Sequence, residues 1–136
     1  MSLLRVTIDT NITVSALFFG GLPLKVVRAG IEGRFIWVCS PPLFKELETV
    51  LASKKFGLKK QDIEDLLNPI AAHVEFVVPS KKLSVITRCP GDNRVLECAV
   101  EGNCNFIVTG DRKDLLSLKS FQDIPIVSVR NFLDQI

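Results

Sequence analysis

The sequence has one histidine, His73 in "AAHVEFVV", and four cysteines, Cys39, Cys89, Cys98 and Cys104, with no C-x-x-C pair among them. A lone histidine at what reads as a helix-to-strand junction argues against a catalytic triad and against a His-rich zinc site, and it reads as structural. The unpaired cysteine spacing reads as reduced, structural thiols rather than a redox or zinc motif. No apolar run approaches the roughly 18 residues that a membrane span needs, and no basic leader precedes a signal-like segment. A cytoplasmic location without membrane attachment is the expectation. Neither sign of charge is in strong excess: 17 Lys and Arg against 15 Asp and Glu leave a net charge of +2, which neither identifies a nucleic-acid partner nor excludes one. Internal repeats, low-complexity segments and domain linkers are also missing. Residues 1–136 are expected to form a single domain with a core large enough to need no disulfide or metal staple.

What the chain does contain is alternation. The apolar segments "LLRVTI", "RFIWVCS", "HVEFVV", "CNFIVT" and the shorter "IPIVS" are separated by stretches with helical spacing. This pattern predicts a three-layer α/β/α sandwich around a mostly parallel sheet of about five strands, because parallel crossovers are usually made by helices. Helices are expected at about Ser15–Gly33, broken near "GGLP", and at Pro41–Ser53, Lys60–Ala72, Asn93–Gly102, Lys113–Leu118 and over "VRNFLDQI". Ser40 before Pro41 and Pro42 is a helix-start signal, and Gly33 and Gly102 stand where helices should stop.

The acids fall at telling places. Asp9 ends the first strand in "RVTIDTNITVS", and Asp111 follows the fourth in "FIVTGDRKDLL", with Asp114 three residues further on. Glu46 lies in the helix after the second strand, beside Leu43 and Leu47 on its apolar side, whereas Glu48 points away. Asp92 precedes "NRVLECAVEG". In a parallel sheet the carboxyl ends of the strands share one edge, where such folds bind ligands, so Asp9, Glu46, Asp92 and Asp111 could converge. Clustered carboxylates repel unless a cation neutralises them, and oxygen donors without convergent His or Cys favour Mg²⁺ or Mn²⁺. Each acid also has a structural account: Asp9 and Asp92 could cap helices, Glu46 could be half exposed, and Asp111 could serve a turn.

In "IDTNITVSALFF", "SPPLFKELETVL", "GDNRVLECAVEGNCNFIVTGDRKDLL" and "IPIVSVRNFL" the sequence resembles the PIN-domain family, in particular stand-alone prokaryotic members often described as toxin components of toxin-antitoxin pairs. The resemblance implies that Asp9, Glu46, Asp92 and Asp111 form a catalytic, metal-binding quartet holding Mg²⁺ or Mn²⁺ for hydrolysis of single-stranded RNA. It implies that Asn11 and Thr109 orient ligands or water, with Asp114 as an extra acid, and that a homodimer and a small antitoxin partner are to be expected. The chain reads "CPGD" where close members carry D-P-x-D, so Cys89 replaces one negative charge beside Asp92. Lys54, Lys55, Lys59, Lys60, Arg112 and Lys113 are the candidates for holding the RNA backbone. Phe18 and Phe19 could stack bases, although core packing or a dimer surface accounts for them as well.

Two other functions fit parts of the sequence. A binding module of this fold could recognise RNA or a partner without cutting. "DTNIT" also imitates the D-x-D-x-T signature of haloacid-dehalogenase-like phosphatases, but Asn11 stands where the general acid would be, and an amide cannot transfer that proton.

Overall fold

The structure is a computed structural model that describes residues 3–84, 92–110 and 115–136. Six strands form one sheet: β1 (Arg5–Ile8), β2 (Ile36–Cys39), β3 (Glu75–Phe76), β4 (Phe106–Val108), β5 (Ser120–Phe121) and β6 (Ile124–Val127), in the order β3-β2-β1-β4-β6-β5. All pairings are parallel except β5 with β6. The five apolar segments each supply one strand. The sixth, β5, was not expected: "SF" has too little apolar alternation to announce itself, and it is held only by the short antiparallel return to β6.

Seven helices are described: α1 (Thr10–Phe19), α2 (Gly21–Ile31), α3 (Pro41–Leu51), α4 (Lys60–His73), α5 (Asp92–Glu101), α6 (Leu115–Leu118) and α7 (Val129–Leu133). The first begins at Thr10 rather than near Ser15, so Asp9 stands directly at a strand-to-helix junction. Its break from α2 falls at Gly20, whose φ of 69° is left-handed and suits glycine. Ser40 caps α3 as its sequence suggests, accepting from the Leu43 N–H at 3.3 Å. No single described helix is long and apolar enough to cross a membrane; α1 and α2 would reach that length together but bend by 107°.

The strands alternate their side chains between two cores. Val6, Ile8, Trp37 and Val108 face α1, α2, α4 and α7, burying Val26, Leu67 and Phe132 with them. Val38, Ile107 and Ile126 face α5 and α6, against Leu96, Ala99 and Leu115. This period-2 division requires helices on both faces, and it confirms the sandwich. Thr7, fully buried on the second face, donates to the Cys98 sulfur at 3.5 Å. His73 is exposed, and its Nδ1–H donates to the Pro69 carbonyl one turn back, at 2.7 Å.

Gly102 ends α5 because there is no room for anything larger. A Cβ added there would lie 2.5 Å from Val38 Cγ1 and 3.1 Å from the Cys98 carbonyl oxygen, and Val38 is fully buried. Gly102→Ala is therefore expected to cost about 2 kcal/mol through overpacking, read as a lower urea midpoint with unchanged slope. An unchanged midpoint would show that the α5–β2 contact can give way.

Burial pushes the thiol of Cys98 up to about 11 and that of Cys104 up to about 12. The folded protein thus keeps these protons longer than the unfolded chain, whose thiols titrate near 9.0. Their contribution to stability is fully present below pH 9 and is lost as the pH climbs towards those raised values. At pH 8, Cys98 and Cys104 should resist iodoacetamide in the native protein and react after unfolding, as mass spectrometry of the peptides would show. Rapid native labelling of either would contradict their packing.

Candidate metal and catalytic site

Buried polar side chains concentrate at one edge of the sheet. Among the described residues nine polar or charged side chains are buried, and six of them, Asp9, Thr10, Ser40, Asp92, Asn93 and Thr109, lie just past the ends of β1, β2 and β4 or at the start of α5. Helix α5 leads back to the amino end of β4, so its first residues also sit at the carboxyl edge. The strand order changes direction between β1 and β4, since the chain leaves β1 for β2 on one side and reaches β4 on the other. That is the switch point at which doubly wound sheets form a crevice.

Asp9 occupies it. Its N–H donates to the Val108 carbonyl at 2.9 Å, extending the β1–β4 register by one residue. By position it is the N-cap of α1, but its side chain makes no capping hydrogen bond. Instead Asp9 Oδ2 accepts from Thr109 Oγ1 at 2.8 Å. Capping therefore does not account for this carboxylate, which is turned across the crevice and fixed from the neighbouring strand.

Glu46 reaches the same place from α3, whose Leu43, Leu47 and Leu51 are buried. Its Oε2 accepts from Thr10 Oγ1 at 3.3 Å. Burial pushes the Glu46 carboxyl above the usual carboxylate range, and the negative charge of Asp9 pushes it further; the Thr10 hydrogen bond and the Arg94 guanidinium pull it back. Glu48 points elsewhere, pairing with Lys45 at 2.8 Å, as the helical spacing predicts. Asp92 is buried as the first residue of α5, with Asn93 buried beside it.

Among the described residues, no three His, Cys, Asp or Glu side chains form a group that could hold a metal ion. Asp111, Asp114, Arg112, Lys113 and Cys89 lie outside the described residues. The acidic side chains placed at this edge, Asp9, Glu46 and Asp92, offer carboxylate oxygens. Oxygen donors of this kind suit a hard divalent cation, which commonly takes one or two protein carboxylates and completes its shell with water and substrate phosphate.

Asn11 is exposed on the first turn of α1; the residue that touches an acid is its neighbour Thr10. Sequence reading overlooked Thr10 because a threonine in "IDTN" is unremarkable until α3 brings Glu46 to it. It likewise overlooked Arg94, which sits near Glu46. Phe56, in the turn Lys54–Phe56, stacks on Phe18 with ring centroids 4.3 Å apart. Phe18 is near the far end of the ten-residue α1, about 13.5 Å along the helix from Asp9. Phe18 thus packs within the protein, whereas Phe19 is 82% exposed.

These features define a doubly wound α/β domain with an acidic crevice at its switch point. The PIN-domain family profile matches residues 5–113, and the protein belongs to the PIN-domain family. No curated protein matches the sequence. Among solved structures, a chain of VapBC2 from Rickettsia felis, determined bound to a DNA fragment from their promoter, is similar with a TM-score of 0.64 and 15% identity over 92% of this chain and 98% of that one. The PIN-domain endonuclease Utp24 is similar with a TM-score of 0.56 and 18% identity, over 91% of this chain and 84% of that one.

Proposed function

We propose that this protein is a metal-dependent endoribonuclease that hydrolyses single-stranded RNA, acting in the cytoplasm as the toxin of a toxin-antitoxin pair, as a homodimer restrained by a small antitoxin. The observation that carries the reading is the set of buried polar groups at the carboxyl edge, where Thr109 holds Asp9 and Thr10 holds Glu46. Burying such groups costs free energy, and two continuous apolar cores give no structural reason for them. Family membership supports the reading, as does the fold shared with an endonuclease.

In this reading Asp9 and Glu46 hold Mg²⁺ or Mn²⁺, with Asp92 and Asp111 as further ligands or water-orienting groups. When bound, the ion supplies positive charge that favours ionised water and balances the charge developing on the leaving oxygen. The protein's own groups do the rest. Thr109 fixes the Asp9 carboxylate, and Thr10 fixes Glu46. A carboxylate of the quartet that does not hold the ion would take the proton of the attacking water. In-line attack on phosphorus breaks the bond to the 3′ oxygen and leaves a 5′-phosphate and a 3′-hydroxyl.

The test is cleavage of a labelled single-stranded RNA and of its duplex by the purified protein with Mn²⁺, Mg²⁺ or EDTA. Cleavage confined to the single strand, requiring the ion and leaving 5′-phosphate ends, is expected. RNA binding with no cleavage under either ion would replace the nuclease by a binding module. Thr109→Val keeps the shape but removes the hydrogen bond that orients Asp9. It is expected to weaken Mn²⁺ affinity about 10- to 100-fold, measured as the Mn²⁺ concentration for half-maximal activity; an unchanged requirement would remove Thr109 from the site.

A further inference from the structure

We infer that the single strand is held in a groove between the start of α3 and the segment Val78–Lys82, with Lys81 and Lys82 gripping its phosphates, rather than along the Lys54–Lys60 connection. The inference rests on the nuclease reading for the identity of the ligand, and on the following geometry for its place. The groove encloses about 610 Å³ and is lined by Pro41, Pro42, Val78, Lys81, Lys82 and Arg94, among others.

Its backbone wall is fixed at both ends. The Ser80 N–H donates to Glu101 Oε1 at 2.7 Å, and the Leu83 N–H donates to Glu97 Oε2 at 2.6 Å. Arg94 closes the second anchor, donating to the Leu83 carbonyl at 3.1 Å and to Glu97 Oε2 at 2.7 Å. Lys81 and Lys82 are the two residues between these anchors. Both are exposed, and neither forms an ion pair among the described residues. Two ammonium groups are thereby carried on a positioned backbone with their charge unspent, while Arg94 answers the buried Glu97.

The opposite wall suits the rest of a nucleotide. Pro41 and Pro42 are exposed at the start of α3. The two prolines bring no N–H groups, and the Leu43 N–H is taken by Ser40, so the helix start offers little to an anion there and presents apolar surface instead. Cations on one wall and apolar surface on the other match a flexible strand with phosphates on one side and bases on the other. The groove also comes close in the chain to one of the acids: Arg94, which lines it, stands two residues after Asp92 on α5. By contrast, Lys55 lies over the Phe56 ring, 5.0 Å from its centroid, at the end of α1 away from Asp9.

The experiment measures binding and cleavage separately. Fluorescence anisotropy with a labelled twelve-nucleotide oligouridylate in EDTA, across a salt series, compares wild type, Lys81→Gln/Lys82→Gln and Lys54→Gln/Lys55→Gln. The first double variant is expected to bind about tenfold more weakly near 0.1 M salt and to lower the slope of log affinity against log salt by about 1.4, or about 0.7 per lost phosphate contact. The second should match wild type. Equal affinity and slope for wild type and Lys81→Gln/Lys82→Gln, or no binding by wild type, overturns the groove. Cleavage of the same oligonucleotide with Mn²⁺ is scored independently. A protein that binds through Lys81 and Lys82 but never cuts keeps the groove and loses the nuclease reading; one that cuts equally well with both lysines replaced keeps the nuclease and loses the groove.

Discussion

Asp9→Asn is expected to lower Mn²⁺-dependent cleavage by at least about 100-fold while leaving the fold intact and the metal-free protein more stable. Asp9 is 4% exposed, its charge raises the proton affinity of Glu46, and among its interactions is a hydrogen bond accepted from Thr109. Asparagine keeps an oxygen for Thr109 and removes the repulsion. In EDTA the melting temperature should rise by about 2–4 °C, corresponding to about 1 kcal/mol for a domain of this size. The two proteins should then diverge when metal is added. An ion that binds only the folded wild type at about 100 times its dissociation constant adds about 2.7 kcal/mol, and the variant should gain little of this. The pattern separates a ligand from a merely structural acid. If Asp9→Asn destabilised the metal-free protein and left the Mn²⁺ response unchanged, Asp9 would be part of the scaffold.

Glu97→Ala should produce the largest loss of stability. Glu97 is 6% exposed, and one of its oxygens takes both the Leu83 N–H and the Arg94 guanidinium. Its removal leaves the partly buried Leu83 N–H unpaired and Arg94 with the Leu83 carbonyl alone. The Arg94 Nε is already buried without a hydrogen-bond partner among the described residues, so the guanidinium cannot easily make good the loss. Breaking one partner of a largely buried ion pair costs about 3 kcal/mol, or roughly 10 °C in melting temperature. Glu97→Gln, which can still accept from Leu83, should lose about half as much. Urea titration of the three proteins checks the order, and a Glu97→Ala protein within about 0.5 kcal/mol of wild type would mean that the 80–83 segment is not anchored as described.

The sheet was legible because its strands are short, apolar and separated by helix-length spacers, and these features are local. The boundaries that differ are set by contacts the spacing does not contain. Helix α1 begins at Thr10 because Asp9 remains paired to Val108 on β4 and the chain turns immediately after it. Strand β5 exists because β6 lies beside it. At the site, Asp9 and Glu46 could be singled out from sequence, since each acid interrupts an apolar pattern at a strand end or on a helix face. Asn11 and Thr10 could not be told apart in the same way. Which of two neighbouring polar residues faces an acid depends on how α1 is rotated against α3.

The sequence by itself determined the class of fold, the helices on both faces and the acids worth testing, because hydrophobic periodicity and helix-start signals act over a few residues. Only the tertiary structure decided that the Asp9 side chain bonds Thr109 instead of capping α1, that Thr10 meets Glu46, and that Glu97, Glu101 and Arg94 anchor the segment bearing Lys81 and Lys82. Asp9 and Thr109 are a hundred residues apart in the chain, and their meeting follows from the parallel register of β1 with β4. Register is a property of the packed sheet: it is set by which faces the two cores bury, and no single segment encodes it.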